Sequence, residues 1–162
     1  MIKVGILTIS DKGARGERED QSGKLIEEIV KKIEGEVKYY QIIPDEKDII
    51  QDELVKAVDG LHLDLILTTG GTGLGKRDVT PEATLAVIEK EVPGISEIIR
   101  SESFKQTNRA ILSRGVAGIR KESLIINLPG SPGGVKESLE IILDALPHGI
   151  EIIKGQVNEC AR

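Results

Sequence analysis

ILTTGGTGLGKRDVTPEAT, residues 66–84, is the stretch whose reading decides the fold. An apolar, β-rich run over residues 63–69 empties into a loop with four glycines among the six positions 70–75. The loop goes on through Lys76, Arg77 and a lone carboxylate, Asp78, and closes on Thr80-Pro81. That pair is a helix-start signal, with Thr as N-cap and Pro at the first helical position. Four glycines are more than a turn requires. They let backbone N–H groups come close to an anion, and the helix start adds the positive end of its dipole. A phosphate is the expected occupant.

Working outward, the same strand-to-helix alternation recurs. Residues 1–9 (MIKVGILTI) read as a buried strand that ends in a polar loop over residues 10–21. Ser22 is the expected cap of a helix with apolar residues at Leu25, Ile26, Ile29, Val30 and Ile33, stopped by Gly35. A second strand covers residues 37–43. Pro44-Asp45 opens a helix with Ile49, Ile50, Leu54, Ala57 and Val58 inward. After the glycine loop a helix is expected from Pro81 to Glu91, broken by Pro93-Gly94, then a polar helix over residues 95–107 and a small-residue segment over 110–120. Residues 123–128 (SLIINL) form a strand that runs into PGSPGG. A last long helix carries Val135, Leu139, Ile142, Leu143 and Leu146 and ends at Pro147, ahead of a short apolar segment, residues 150–153.

Strands alternating with helices imply an α/β fold, a mostly parallel sheet with helices on both faces. Ligands then bind beyond the carboxyl ends of the strands. That rule gathers Ser10-Asp11, Pro44-Asp45, residues 70–78 and residues 129–132 on one rim.

Composition narrows the function. With 162 residues, 39% hydrophobic and 30% charged, the chain is an ordinary globular protein, expected to form one domain over residues 1–162. It has no Trp, one Phe and two Tyr, so its core is aliphatic and it lacks stacking platforms for nucleic-acid bases. A net charge of -5 argues against a broad polyanion-binding face. One cysteine, Cys160, excludes an intrachain disulfide and is no nucleophile candidate. His62 and His148 lie far apart, so a zinc cluster is not expected. There is no signal-peptide pattern and no apolar run of the roughly 20 residues that would span a bilayer. A cytoplasmic protein with no membrane contact is expected.

Gly70 to Lys76 has the spacing of a phosphate-binding P-loop, but Arg77 stands where a Ser or Thr would hold magnesium, and the helix starts late. No G-x-G-x-x-G is present. A Walker-type or dinucleotide site is therefore set aside. Asp45 taken singly reads as an N-cap, with Asp48 reaching back from three residues on. Asp78 reads as a carboxylate favouring a helix dipole. On one rim beside a polyphosphate they mean something else. A carboxylate ~4 Å from a phosphate charge is repelled by about 4 kcal/mol at a typical effective dielectric. Two such acids are explained by a divalent cation, and magnesium is held by one or two carboxylates plus substrate phosphates. Asp45 and Asp78 are thus expected to hold Mg2+ against a nucleoside triphosphate. Lys76 or Arg77 could offset charge on a leaving pyrophosphate.

Taken together, TTGGTGLGKRDVTPEAT, ISD after the first strand, IPDE after the second, ILSR before Gly115 and NLPGSP after the late strand closely resemble the MogA/MoaB family of molybdenum cofactor biosynthesis. The resemblance runs from Lys3 to about Gly155. It implies a three-layer α/β/α sandwich assembling as a homotrimer or a hexamer. It implies an enzyme that transfers AMP from Mg-ATP to the terminal phosphate of molybdopterin and releases pyrophosphate, with transient contact to a metal-insertion protein. By this resemblance Asp45 and Asp78 are catalytic and metal-binding, and Gly70, Gly71, Thr72 and Gly73 contact the nucleotide. Ser10, Asp11, Ser113, Arg114, Pro129, Gly130, Ser131 and Pro132 match segments lining the molybdopterin pocket. The alternative is a MoaB-like scaffold or carrier that binds molybdopterin without adenylating it.

Overall fold

The computed structural model describes residues 1–157; Cys160 lies outside them. Six strands form one sheet: β1 (Ile2–Ile9), β2 (Gly35–Ile43), β3 (Leu65–Thr69), β4 (Lys90–Glu91), β5 (Ala117–Arg120) and β6 (Ser123–Leu128). Their spatial order is β2-β1-β3-β6-β5-β4. The first four in that order are mutually parallel, and β5 and β4 are added antiparallel at one edge.

Alternation along the parallel strands sorts the core into two layers. Val4, Ile6, Leu65, Leu67, Leu124 and Ile126 face one side. There they pack on α2 (Gln21–Val30), α5 (Pro93–Phe104), α6 (Pro132–Ile142) and α7 (Leu146–Ile153). Leu7, Ile9, Ile66 and Ile125 face the other side, against α3 (Lys47–Val55) and α4 (Thr80–Val87). This is the three-layer arrangement the sequence implied. Burying both faces of a parallel sheet requires the near-continuous aliphatic runs that these strands show. No helix of the described residues is long and apolar enough to cross a membrane.

Element boundaries differ from the sequence expectation where a side chain found a better partner. Ser22 does not cap α2. Asp20 does, its carboxylate accepting from Gly23 N at 2.9 Å, while the Ser22 hydroxyl donates to the Gly130 carbonyl at 2.7 Å. Asp45 does not cap α3, which begins two residues later, after Glu46, with no side-chain cap. Thr80 is the first residue of α4 rather than its cap, and the helix stops at Val87 because residues 90–91 pair with β5. Pro93 opens α5 instead of breaking a helix. The expected long terminal helix is two: α6 ends at Ile142, a 3-10 turn follows, and Pro147 sits in the first turn of α7. The loop after β1 holds a short helix, α1 (Asp11–Ala14), capped by Ser10. The small-residue segment contains β5, a strand without the apolar alternation that would betray it.

The parallel register sets the stage for the site. Thr8 of β1 is level with Thr69 of β3, Ile9 with Ile43 of β2, and Thr69 with Leu128 of β6. The four loops that follow therefore leave the sheet side by side. The chain runs from β1 out to β2 and returns to β3 on the other side of β1, so the order reverses between β1 and β3. Such reversal points open a crevice between diverging loops.

Candidate active site

A cleft of about 690 Å³ occupies that crevice. Its walls include Thr8 and Ser10 after β1, Asp45 after β2, Thr69 to Gly71 and Asp78 after β3, and Gly130 to Pro132 after β6. All four expected rim segments reach one cavity.

The glycine loop is shaped by close approaches that only glycine permits. Gly70 (φ 97°) and Gly71 (φ 70°) are both in the left-handed region. A Cβ on Gly70 would collide with the Ile9 carbonyl, and one on Gly71 would collide with Thr80 Oγ1 and lie 3.3 Å from Asp45 Oδ1. Thr80 holds this corner twice: its N–H donates to the Gly71 carbonyl at 3.2 Å and its hydroxyl to the Gly70 carbonyl at 2.9 Å. Farther along, the loop wraps Asp78. Gly75 N donates to Asp78 Oδ2 at 2.9 Å, and a Cβ on Gly73 or Gly75 would press to 2.9 Å from the same oxygen.

Arg114 clamps the loop from outside the cleft. Its backbone N–H donates to the Thr72 carbonyl at 2.9 Å, its Nε to the Gly73 carbonyl at 2.8 Å, and one terminal nitrogen to the Asp78 carbonyl at 2.7 Å. The other terminal nitrogen pairs with both Glu82 oxygens, at 2.9 and 2.8 Å. Its charge is thus committed to protein groups, and the Glu82 carboxylate, with the Asp78 charge nearby, raises its proton affinity. Ser113, Thr72 and Gly73 lie with it behind the cleft wall. Pro129 stands at the base, its carbonyl accepting from Thr69 Oγ1 at 2.6 Å.

Asp45 and Asp11 are tied to each other through the backbone. Asp11 N donates to Asp45 Oδ2 at 2.8 Å, and Asp45 N donates to Asp11 Oδ1 at 3.0 Å. Burial raises the Asp45 pKa above the ordinary carboxylate value, and the negative charges of Asp11 and Asp78 add to the rise, against the lowering effect of the Asp11 amide. Arg77 does the opposite to Asp11. Its guanidinium binds both Asp11 oxygens at 3.1 Å and Glu46 at 2.8 Å, which holds the Asp11 pKa below the usual range. Arg77 is therefore occupied, whereas Lys76 is exposed.

The sequence reading missed one wall of the cleft: Arg18, Glu19, Asp20, Gln21 and Ser22. Asp20 is its most constrained member, accepting from Thr8 Oγ1 at 2.6 Å, from the Tyr40 hydroxyl and from Gly23 N. Burial and the nearby Asp20 charge push the Tyr40 pKa well up. The available signal was an Asp three residues ahead of a Gly at a helix start; the Ser between them drew attention instead. Among the described residues no group of three or more His, Cys, Asp or Glu forms a ready metal cage. Asp45, beside Gly71, and Asp78, beside Gly73 and Gly75, both line the cleft with opposing charges and fit a cation completed by substrate oxygens rather than by protein alone.

Comparison with known proteins agrees with the geometry. Residues 5–148 match the family model of a probable molybdopterin binding domain. The chain is 46% identical to a molybdopterin adenylyltransferase of Helicobacter pylori, over 98% of this chain and 93% of that one. Its fold superposes on the molybdopterin biosynthesis enzyme MoaB of Thermus thermophilus with a TM-score of 0.91 at 50% identity, covering 96% of this chain and 98% of the other. The tungsten cofactor synthesizing protein MoaB of Pyrococcus furiosus superposes with a TM-score of 0.87 at 39% identity, covering 95% and 98%. With the cleft at the sheet reversal, the glycine corner and nearly full-length identity in agreement, the chain belongs to the molybdopterin-binding domain family, among its MogA and MoaB members.

Proposed function

We propose that this protein is a molybdopterin adenylyltransferase, working as one domain over residues 1–162. The observation that carries the reading is the convergence of Asp45, Asp78 and the Gly70-Gly71 corner on one cleft at the switch point of the sheet. An oxygen of the molybdopterin phosphate attacks the α-phosphorus of ATP. The bond from that phosphorus to the bridging oxygen breaks, and pyrophosphate leaves with the electron pair. A phosphate monoester is largely ionised at neutral pH, its second pKa being about 6, so no strong general base is needed. The work left to the protein is alignment and charge compensation.

Gly70 and Gly71 supply the nucleotide side of the cleft, with Thr72 and Gly73 continuing the loop behind them. Ser10, Gly130, Ser131 and Pro132 supply the molybdopterin side, with Asp11, Ser113, Arg114 and Pro129 supporting the wall from behind. Asp45 and Asp78 would hold Mg2+, which when bound neutralises phosphate charge between the two acids. The cleft's own electrostatics support this: Asp45 ionises reluctantly because it is partly buried and has negative neighbours, and a cation relieves that. Exposed Ile98, Phe104, Ile111 and Leu112 support assembly as a homotrimer or hexamer, which light scattering would register as three or six times 17.6 kDa. The reading includes a cytoplasmic location and transient delivery of product to a metal-insertion protein.

The test is incubation with ATP, Mg2+ and molybdopterin while pyrophosphate is followed. Release that depends on all three is expected. Pterin binding with no pyrophosphate would instead make the protein a carrier, and nucleotide binding indifferent to pterin would make it a regulatory domain.

A further inference from the structure

Asp11 was expected to line the molybdopterin pocket, and Lys76 or Arg77 to offset charge on a leaving pyrophosphate. The structure gives the side chains of both Asp11 and Arg77 to the protein. Neither lines the cleft, and the two Asp11 oxygens accept from the Arg77 guanidinium at 3.1 Å each. The same guanidinium reaches Glu46 at 2.8 Å, the residue beside Asp45. Asp11 then passes this order on. Its N–H fixes Asp45 Oδ2 at 2.8 Å, and its Oδ1 accepts the Asp45 N–H at 3.0 Å. What remains of Asp45 is Oδ1, which borders Gly71.

We propose that Arg77 and Asp11 are positioning residues: the guanidinium spans the loops after β1, β2 and β3 and, through Asp11, aims the free oxygen of Asp45 at the Gly71 corner. Three features support it. Arg77 belongs to the loop after β3, Asp11 follows β1, and Asp45 and Glu46 follow β2, so this one side chain joins three of the four loops that make the cleft. The Arg–carboxylate contact with Asp11 is bidentate, which fixes orientation as well as distance. The Asp45–Asp11 exchange is reciprocal, so displacing Asp11 frees both the backbone and the carboxylate of Asp45. Arg77 itself is 56% exposed at its side chain, so its contribution lies in geometry more than in stability.

This inference rests on the adenylyl-transfer reading for its kinetic arm, but its structural arm stands apart. Crystals of Arg77→Ala should show the hydrogen bond from Asp11 N to Asp45 Oδ2 broken and the Asp45 carboxylate rotated. An unchanged Asp45 overturns the proposal whatever the activity. In the kinetic arm, Arg77→Ala is expected to lower kcat about tenfold or more and raise the Mg2+ concentration for half-maximal rate, with KM for molybdopterin little changed. Arg77→Lys should restore part of this, since lysine reaches one carboxylate oxygen but cannot form the fork. Asp11→Asn should resemble Arg77→Ala, and the double variant should be no worse than the poorer single. Arg15→Ala, which removes another nearby cation that pairs with Glu17, is the control and should match the wild type. A raised KM for ATP in Arg77→Ala, absent in Asp11→Asn and additive with it, would show Arg77 acting on the nucleotide directly and would overturn the proposal. A drop in Tm with normal kcat would reduce the pair to scaffolding and do the same.

Discussion

At the scale of single residues, the site carries its cost in Asp45. Burial and like charges raise its pKa in the folded protein, so its contribution to stability is greatest at low pH and is lost as pH rises through that folded value. Above that value the ionised carboxylate opposes folding. Asp45→Asn keeps an acceptor for the Asp11 N–H and removes the charge. It should raise Tm by roughly 2–4 °C for each kcal/mol of repulsion relieved, while pyrophosphate release falls on the order of 100-fold or more. Calorimetry beside the pyrophosphate assay checks both halves; a variant that loses Tm and activity together would contradict the account. Gly71 has the opposite character, because its left-handed backbone and its contact with Thr80 leave no room for a side chain at any pH.

At the scale of elements, one buried side chain joins the parts that hold the glycine corner. Asn127 on β6 donates to Thr68 Oγ1 on β3 at 3.1 Å and to Thr84 Oγ1 on α4 at 2.9 Å, and accepts from Val116 N at 3.2 Å. Thr84 in turn donates to the Thr80 carbonyl, and the Thr80 hydroxyl to Gly70. A chain of hydrogen bonds therefore runs from the middle of the sheet to the glycine corner. Asn127→Ala leaves the Val116 N–H and a cavity uncompensated, a loss of about 2–4 kcal/mol. Thermal unfolding should fall by roughly 5–10 °C, and a shift under 2 °C would mean that water substitutes for the amide.

At the scale of the whole molecule, an ion pair between residues 61 apart in the chain adds an acid-sensitive contact. Arg120 on β5 binds Asp59, in the wide turn after α3, through two nitrogens at 3.0 and 2.8 Å, and holds its pKa down to about 2. A depressed carboxylate stabilises the fold above its unfolded value of about 3.9 and loses that contribution as pH falls through the folded value. The Tm difference between wild type and Arg120→Ala should be full at about pH 6 and shrink from about pH 4 downward. What remains near pH 2 is the bond from Arg120 to the Val87 carbonyl. A gap constant from neutral pH to acid would show that the ion pair contributes nothing.

The sequence alone determined what depends on local pattern. Aliphatic runs at residues 63–69 and 123–128 specified buried parallel strands, and strands that must cross over to stay parallel imply the layers and the rim. The glycine corner was legible because four glycines in six positions have few other uses, and Asp45 and Asp78 because each sits in a loop that follows a strand on the same rim. Tertiary structure decided whatever depended on a partner distant in the chain. Asp20 rather than Ser22 caps α2 because Thr8 and Tyr40 reach Asp20 while Ser22 reaches Gly130. Residues 117–120 became a strand because β6 offered an open edge, not because of their own propensity. Arg77, which the sequence offered beside Lys76 as a cation for a leaving pyrophosphate, was claimed by Asp11, 66 residues away, because parallel register brings the ends of β1 and β3 level. Spacing along a chain fixes which residues share a face; only the packed sheet fixes which charges meet.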